Sequence, residues 1–420
     1  MGKDIITEDG QQLTRAVLVC VDTGEYDADN SLDELSELAK TAGAQVIARV
    51  IQKRPAFESA TCIGSGRLEE LAGLCISEDI ELIIFDCELT ATQTRNIENA
   101  TDVHTIDRTT LILDIFARHA KTHEGRLQVE IAQYKYRLAR LAGMGVKLSR
   151  LGGGIGTRGP GETKLETDKR HVRTRIAALS QELKEIEKRR DLHRQRRKKD
   201  GVLTAAIVGY TNVGKSTLLN TITEAGVLAE NKLFATLETT SRAILLPDGR
   251  SVTLIDTVGL LRRLPHGLVE AFRSTLEEMS SADVIIHVTD VSDDDCREKA
   301  QAALTLLEEL GCSGIPVVTV FNKCDLVGDI DISDITKNDS VVRMSAKNGD
   351  GVGQLLKAVT AALPETARRG KYLLPFDKAG LVNRIMEDGK VFSQEYTAEG
   401  IELDALVDIT KLHLVEDYRI

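Results

Sequence analysis

The chain has 420 residues, of which 42% are hydrophobic and 28% are charged, and its formal net charge is −11. This length predicts two to four domains, and this composition predicts a soluble globular protein rather than a disordered or fibrous one. No apolar run reaches the roughly 18 residues that span a bilayer, and the first ten residues lack a secretory core, so we expect a cytoplasmic protein without a membrane span.

The seven cysteines are scattered along the chain, without a CxxC motif or a Cys/His cluster. This spacing indicates neither a zinc site nor a disulfide framework. We expect each cysteine to be a small buried apolar residue in a reducing compartment.

Residues 1–108 predict an N-terminal α/β subdomain. The strand-like runs AVLVCV (16–21) and AQVIARVI (44–51) flank a helical segment, and ELIIFD and DVHTID follow after further helical segments. Alternation of this kind favours a small parallel sheet. The turn Gly64-Ser65-Gly66 opens a helix and could hold an anion, but a plain helix start is the interpretation that we favour.

Residues 109–200 predict a helical hairpin, because apolar residues recur at alternating spacings of four and three in two segments. They are Leu127, Ile131, Tyr134, Leu138 and Leu141 in the first, and Val172, Ile176, Leu179, Leu183 and Ile186 in the second. Two such heptad seams predict long helices that fold back as an antiparallel pair. The joining segment LGGGIGTRGPGETK (151–164) contains a G-x-G-x-x-G spacing, but a helix rather than a strand precedes it, so a dinucleotide turn is not expected.

Positive charge is concentrated in this hairpin. Residues 134–199 hold 20 Lys and Arg against 7 Asp and Glu, a local net charge of +13 on an acidic protein. The excess favours binding to a polyphosphate backbone, and the alternative is a solvated helical face. In the glycine-rich tip, Arg150, Arg158 and Lys164 are candidates for RNA contact, and the alternative for the tip is a bare linker.

Residues 201–365 predict a P-loop GTPase domain built on a mostly parallel sheet. An apolar strand (202–208) leads into GYTNVGKS (209–216), and a helix follows. In such a loop the backbone N–H groups wrap the phosphates, Lys215 reaches the β- and γ-phosphates, and Ser216 is a ligand of Mg²⁺. The nucleotide contacts predicted here are Gly209, Tyr210, Thr211, Asn212, Val213, Gly214, Lys215, Ser216 and Thr217.

Two downstream motifs point to GTP as the substrate and Mg²⁺ as the cofactor. In SVTLIDTVG (251–259), Asp256 is a candidate ligand of Mg²⁺ and Gly259 a candidate γ-phosphate contact. In IPVVTVFNKCD (315–325), a carboxylate can accept the N1–H and 2-amino hydrogens of guanine, which adenine does not offer. The residues predicted to bind the base are Asn322, Lys323 and Asp325, followed by Ser345, Ala346 and Lys347 after the next strand.

The first switch is expected within FATLETT (234–240), where a threonine would bind Mg²⁺. Thr236 is our first choice for that threonine, and Thr239 and Thr240 remain alternatives. Leu260 stands where Ras-like GTPases carry the glutamine that orients the attacking water. An aliphatic side chain cannot orient water, so no catalytic residue is assigned, and we expect slow basal hydrolysis that a partner accelerates.

Residues 366–420 predict a small α/β C-terminal domain, whose function the pattern does not indicate, and we expect the whole chain to be a monomer. FDCELTATQTRNIEN, DRTTLILDIFARHAKTHEGRLQVEIAQYKYRLARL, GGGIGTRGPGETKLETD and GYTNVGKSTLLN resemble the HflX family of ribosome-associated GTPases. The resemblance covers nearly the whole chain and implies the same four-part architecture. The chain departs from the family pattern at Glu238-Thr239-Thr240, where Asp-Pro-Thr is usual, and at Leu260, where Phe is usual.

The resemblance also implies partners and a role. The large ribosomal subunit and ribosomal RNA would be the partners, the subunit would stimulate hydrolysis, and the protein would split stalled ribosomes under stress. The hairpin tip would approach the peptidyl transferase centre. One alternative is a GTP-regulated ribosomal RNA-binding assembly factor without splitting activity. An RNA-modifying enzyme ranks last, because residues 1–200 show no convincing catalytic cluster.

Overall fold

A computed structural model describes residues 13–148, 160–199, 201–223, 240–257, 259–260, 279–328 and 340–420. Its described residues divide into two compact units, one ending at Lys188 and the other beginning at Arg189. Within the described helices, none combines the length and the apolar composition needed to cross a bilayer.

The first unit is built on a four-stranded sheet in which every neighbouring pair is parallel, in the order β2-β1-β3-β4. This arrangement confirms the parallel sheet predicted for the N-terminal part of the chain. Its elements are β1 (Thr14–Asp22), α1 (Ala28–Thr41), β2 (Ala44–Lys53), α2 (Ser65–Ser77), β3 (Leu82–Phe85), α3 (Ala91–Thr101), β4 (His104–Asp107) and α4 (Arg108–His119).

Local sequence explains where these helices begin. Asp27 accepts hydrogen bonds from two backbone N–H groups at the start of α1, and Thr90 with Gln93 forms a capping box on α3. Asp107 ends β4 and caps α4. Each cap satisfies backbone donors that have no partner inside the helix. The carboxyl ends of the strands therefore lead directly into polar caps at one edge of the sheet.

The helical hairpin consists of α5 (His123–Leu148) and α6 (Pro160–Lys199). Leu127, Ile131 and Leu179 form a buried cluster on which Tyr134, Leu183 and Ile186 pack. An ion pair joins Glu130 to Arg175, and a hydrogen bond joins His123 to Glu182, so the numbering falls along α6 as it rises along α5. The predicted antiparallel pair is thus confirmed, and six of the ten predicted seam residues lie in this cluster.

The second unit contains a six-stranded sheet in the order β10-β9-β8-β5-β7-β6, parallel throughout except for the β6–β7 pair. The mostly parallel GTPase sheet was predicted correctly. Its elements are β5 (Leu203–Gly209), α7 (Lys215–Thr223), β6 (Thr240–Leu245), β7 (Ser251–Asp256), β8 (Val284–Asp290), α8 (Cys296–Glu309), β9 (Val317–Asn322), β10 (Val341–Arg343) and α9 (Val352–Ala362).

The C-terminal segment adds a three-stranded antiparallel sheet in the order β11-β13-β12. Its elements are β11 (Ala367–Leu374), α10 (Gly380–Asp388), β12 (Lys390–Tyr396) and β13 (Ile401–Asp408). Tyr372, Leu374 and Leu403 are completely buried in its core. The segment is therefore a small α/β element with its own apolar centre, as its sequence predicts.

Candidate nucleotide-binding site

The phosphate loop lies between the carboxyl end of β5 and the start of α7. Asn212 and Gly214 adopt left-handed backbone conformations, with φ of 64° and 95°. A Cβ atom on Gly214 would stand 2.4 Å from Nδ2 of Asn322, and one on Gly209 would stand 2.3 Å from the carbonyl oxygen of Val288. Both glycines are therefore required by close packing of the loop, not only by the phosphate that it would hold.

Lys215 is buried at the first turn of α7. Its Nζ donates hydrogen bonds to the carbonyl oxygens of Gly209 (3.0 Å) and Tyr210 (2.7 Å). Burial lowers the pKa of Lys215 to about 8, and the nearby Asp256 carboxylate opposes part of that shift. The loop thus holds its lysine in place by main-chain contacts, with an ammonium group that an anion would stabilise.

Ser216 and Asp256 bring two oxygen ligands together. The Ser216 hydroxyl donates to Oδ2 of Asp256 at 3.1 Å, and Asp256 is 1% exposed at the end of β7. Hydroxyl and carboxylate oxygens are the hard ligands that Mg²⁺ prefers, together with phosphate oxygens and water. This donor set fits the cation. Among the described residues no cluster of three or more His, Cys, Asp or Glu side chains forms a separate metal site.

The segment after Asp256 contacts the phosphate loop through its main chain. Leu260 donates from its N–H to the Gly209 carbonyl (3.0 Å) and accepts from the Thr211 N–H (3.1 Å). Its side chain is only 5% exposed. A Cβ atom on Gly259 would stand 2.6 Å from Cγ2 of Thr211. Leu260 therefore acts here as a backbone link with a buried side chain.

Asn322, at the end of β9, joins the two loops predicted to bind opposite ends of the nucleotide. Its Nδ2 donates to the Val213 carbonyl at 2.7 Å, and its Oδ1 accepts from the Ala346 N–H at 2.8 Å. Thr221 of α7 adds a second link by donating to the Ala346 carbonyl at 2.6 Å. The asparagine thus fixes the guanine loop relative to the phosphate loop.

Asp325, the carboxylate predicted to bind guanine, is exposed next to this link. A hydrogen bond from the Ser345 side chain lowers the pKa of Asp325 below its usual range, and the charges of Lys347 and Lys323 contribute. Lys323 itself has a left-handed backbone (φ 63°) and forms an ion pair with Asp290 at 2.6 Å. The carboxylate is therefore ionised and able to accept hydrogen bonds.

Several predicted site residues fall outside the described residues: Thr236, Thr239, Arg150 and Arg158. Lys164 lies in α6, in a stretch of which only the backbone is described. Thr240, the remaining candidate for the switch threonine, is the first residue of β6 and stands opposite Asp256 in the strand register.

Two buried polar residues at this site were not predicted. Thr257 is fully buried and donates to the Ile207 carbonyl at 2.7 Å, which anchors the start of the DTVG segment. His287 is 1% exposed in β8, and its Nδ1 has no hydrogen-bonding partner among the described residues. Burial lowers the pKa of His287 to about 4. A polar residue inside the apolar run VIIHVTD was the signal that could have identified His287.

Comparison with known families gives three matches along the chain. Residues 29–117 match the model described as "GTP-binding GTPase N-terminal", and residues 119–197 match "GTP-binding GTPase Middle Region". Residues 204–323, which contain the phosphate loop and end at Lys323 within NKCD (322–325), match "50S ribosome-binding GTPase".

Individual relatives match over almost the full length. The GTPase HflX of Caldanaerobacter subterraneus subsp. tengcongensis is 48% identical over 404 residues, which cover 96% of this chain and 93% of the relative. The GTPase HflX of Escherichia coli K12 is 39% identical, with 96% and 95% covered. A GTP-binding protein of Sulfolobus solfataricus, solved with GDP, is 25% identical at a TM-score of 0.46 and covers 83% of this chain and 98% of its own.

Proposed function

We propose that this chain, which belongs to the HflX family of GTPases, binds the large ribosomal subunit and uses GTP to split stalled ribosomes under stress. The observation that carries the proposal is a basic two-helix hairpin in the same chain as a GTP site. The family model described as a 50S ribosome-binding GTPase, matched over residues 204–323, supports it.

The arrangement of the phosphate loop supports a separate role for each polar group in GTP binding. Lys215 would take the β- and γ-phosphates, since its Nζ is already held at the mouth of the loop. Ser216 and Asp256 would hold Mg²⁺, with Thr236 as a further proposed ligand. Bound Mg²⁺ supplies positive charge that offsets the charge on the phosphate oxygens. The Gly259 N–H would donate a hydrogen bond to the γ-phosphate, so the position of the switch would depend on whether that phosphate is present.

Selection of guanine would rest on Asp325. Its exposed, ionised carboxylate can accept two hydrogen bonds from the base, and Ser345 orients it. The main chain of 345–347 would face the guanine O6, in a loop whose position is set by Asn322 and Thr221. Adenine offers a different donor pattern at the same edge and would leave the carboxylate unsatisfied.

Slow basal hydrolysis follows from the environment of Leu260. The side chain is buried and carries no polar group, so it can neither donate to nor accept from an attacking water. What the segment contributes is its main-chain connection to Gly209 and Thr211. We therefore propose that docking on the large subunit rearranges this segment and completes the catalytic site. Hydrolysis would then release the protein.

The surface of α6 is consistent with an RNA partner. Six of its Lys and Arg side chains within the described part are exposed, namely Arg170, Arg173, Arg175, Lys184, Lys188 and Arg189. Positively charged helical surfaces bind nucleic acid chiefly by neutralising phosphates. The glycine-rich tip at 151–159 would then let the chain backbone approach RNA closely, with Arg150, Arg158 and Lys164 as contacts.

The tip is tested with the double variant Arg158→Ala and Lys164→Ala. Affinity for GDP should be unchanged, while binding to large subunits or splitting of ribosomes weakens. The matched control is Lys40→Ala with Lys53→Ala, which removes the same charge from exposed positions in α1 and β2 of the first unit. A loss of GDP affinity in the tip variant, or an equal loss of ribosome binding in both variants, would refute the role assigned to the tip.

Gradient sedimentation of intact ribosomes separates splitting from a scaffold or assembly role. With GTP, or with a non-hydrolysable analogue, a splitting factor shifts ribosomes to separate subunits and co-sediments with the large one. Unchanged ribosomes carrying the bound protein would favour the assembly factor and contradict our proposal.

A further inference from the structure

Two cysteines that are 25 positions apart in the sequence meet in the first unit. Sγ of Cys62 lies 3.3 Å from Sγ of Cys87. Cys62 lies three residues before the start of α2, and Cys87 follows the carboxyl end of β3 by two residues. Both thiols are reduced, and they lie against the apolar core that α2 and α3 share with the sheet.

The backbone around Cys62 is arranged so that the sulfurs meet. Cys62 has a left-handed φ of 65°, which is uncommon for a residue other than glycine. It exchanges two main-chain hydrogen bonds of 2.9 Å with Glu58, so residues 58–62 form a closed turn. From α3, Gln93 donates to the Glu58 carbonyl (3.0 Å) and Asn96 donates to the Ala60 carbonyl (2.9 Å). The surroundings therefore hold an unfavourable conformation in place.

We propose that Cys62 and Cys87 form a reversible disulfide when the protein meets a small peroxide oxidant. A disulfide bond is about 2.05 Å long, so the sulfurs must approach by only about 1.3 Å from their present separation. The bond would tie the 58–62 turn to the end of β3 and would leave the GTP-binding residues untouched.

The chemistry of the pair suits this step. The hydrogen bond with Cys87 lowers the pKa of Cys62 against the opposing effect of burial, whereas the pKa of Cys87 is raised by the same hydrogen bond and by burial. Cys62 is thus the better thiolate and Cys87 keeps its proton. Cys62 is only 1% exposed and Cys87 is partly exposed, so a small oxidant would enter past Cys87.

The two steps balance with hydrogen peroxide as the oxidant. The Cys62 thiolate attacks one peroxide oxygen, the O–O bond breaks, and the hydroxide that leaves takes up a proton to become water. The resulting Cys62 sulfenic acid is attacked by the Cys87 sulfur; its S–O bond breaks, and a second water leaves with the thiol proton. Two thiols are oxidised by two electrons, and one peroxide is reduced to two waters.

Cys75 and Cys312 are internal references within the same molecule. Burial raises the pKa of both thiols, which makes them poor nucleophiles at neutral pH. If the pair reacts because of its geometry, it should be consumed well before either of these two cysteines. If only general oxidation occurs, all four should react without this order.

The experiment treats the full-length protein with a graded series of hydrogen peroxide, blocks remaining thiols with iodoacetamide, and maps peptides by mass spectrometry without reduction. Digestion with trypsin and a Glu-specific protease separates Cys75 from Cys87, because Glu78 and Glu81 lie between them. We expect a linked Cys62–Cys87 peptide at the lowest doses, and dithiothreitol should cleave the link. At these doses Cys75 and Cys312 should stay reduced and be recovered in the alkylated form. The proposal is overturned if the free thiols of Cys62 and Cys87 disappear no faster than those of Cys75 and Cys312. It is also overturned if oxidation gives no linked peptide.

The variant Cys87→Ser removes the second thiol and should let the Cys62 sulfenic acid accumulate, where dimedone traps it. Cys75→Ser is the matched control and should form the linked peptide as the wild type does. Because the wild-type experiment alone decides whether the disulfide forms, a variant that folds poorly leaves the test intact. Basal GTP hydrolysis should be the same for the oxidised and the reduced protein.

Discussion

One parallel and one mostly parallel sheet of the chain carry charged residues at their carboxyl edges, and the charges are paired differently at the two edges. At the edge of the first sheet, Asp86 and Asp107 are almost completely buried. Arg108 donates to Asp86 at 2.8 Å and also pairs with Glu34, and Tyr136 of α5 donates to Asp107. These charges are satisfied by the protein itself.

The polar groups at the edge of the GTPase sheet have different surroundings from those at the first edge. Lys215 is held by carbonyl oxygens and has a lowered pKa, and Asp325 is exposed and oriented by Ser345. A buried ammonium without a full counter-charge costs free energy that a bound anion recovers. Location at a sheet edge alone therefore does not make a ligand site. The decisive feature is whether the charges are already paired with one another.

The largest expected effect on nucleotide affinity comes from filling the space at Gly214. Gly214→Ala places a methyl group against Asn322 in a left-handed backbone conformation, so the phosphate loop must move. We expect GDP affinity, measured by isothermal titration, to fall by at least about 100-fold, or roughly 2.7 kcal/mol. The matched control is Gly66→Ala in the helix start at Gly64-Ser65-Gly66, where nothing stands within 4 Å of the new Cβ. Retention of full GDP affinity in Gly214→Ala would contradict this account of the loop.

The paired charges of the first sheet are broken by Arg108→Met. This change leaves Asp86 buried without its guanidinium partner and should destabilise the first unit by about 3–5 kcal/mol. Urea unfolding is the measurement, and GDP affinity should remain normal. Arg49→Ala is the control, because Arg49 forms an exposed pair with Asp33 that we expect to contribute less than about 1 kcal/mol. Equal losses for the two variants would show that burial does not distinguish the pairs.

His287 allows the second sheet to be tested by pH. Its pKa is about 4 in the folded chain and near 6.5 when unfolded, so the unfolded state binds the proton first as pH falls. Stability should therefore decline as pH drops from 6.5 towards 4, with His287 accounting for about 3 kcal/mol at the lower limit. In the variant His287→Leu this part of the loss of stability should disappear. The control variant His104→Leu, which replaces an exposed histidine, should still show it. Superimposable pH profiles for wild type and His287→Leu would refute the assignment.

The smallest effect is expected for Leu260→Gln. The link to Gly209 and Thr211 uses only the main chain, so the substitution should leave basal GTP hydrolysis intact while it lowers thermal stability slightly by burying an amide. Ile76→Gln, at a position that is 82% exposed, is the control for adding a glutamine. Collapse of basal hydrolysis in Leu260→Gln alone would show that the leucine side chain participates directly.

Much of the GTPase domain and of the helical hairpin could be predicted because their motifs are contiguous. The strand, glycine loop and helix of residues 203–223 specify one local geometry, and the heptad seams around Leu127 and Leu179 specify one helix pairing. The antiparallel C-terminal sheet was only partly foreseen, since turns at Gly389 and Gly400 mark strand ends without giving their order.

The features that sequence did not reveal depend on residues that are distant along the chain. The contact between Cys62 and Cys87 arises only when α2 and β3 are packed, and the cysteine spacing alone indicated buried apolar residues. Similarly, Leu260 was interpreted from its side chain, whereas the structure shows its main chain linked to the phosphate loop. Tertiary hydrogen bonds of this kind leave no local periodicity to detect.

We propose above all that the large ribosomal subunit completes a GTPase site in which Leu260 cannot orient water. The direct measurement is GTP turnover by the full-length protein alone, with purified large subunits, and with small subunits as the control. We predict that large subunits raise kcat by at least about tenfold, equivalent to roughly 1.4 kcal/mol of transition-state stabilisation, and that small subunits do not. An unchanged kcat with saturating large subunits would contradict the account.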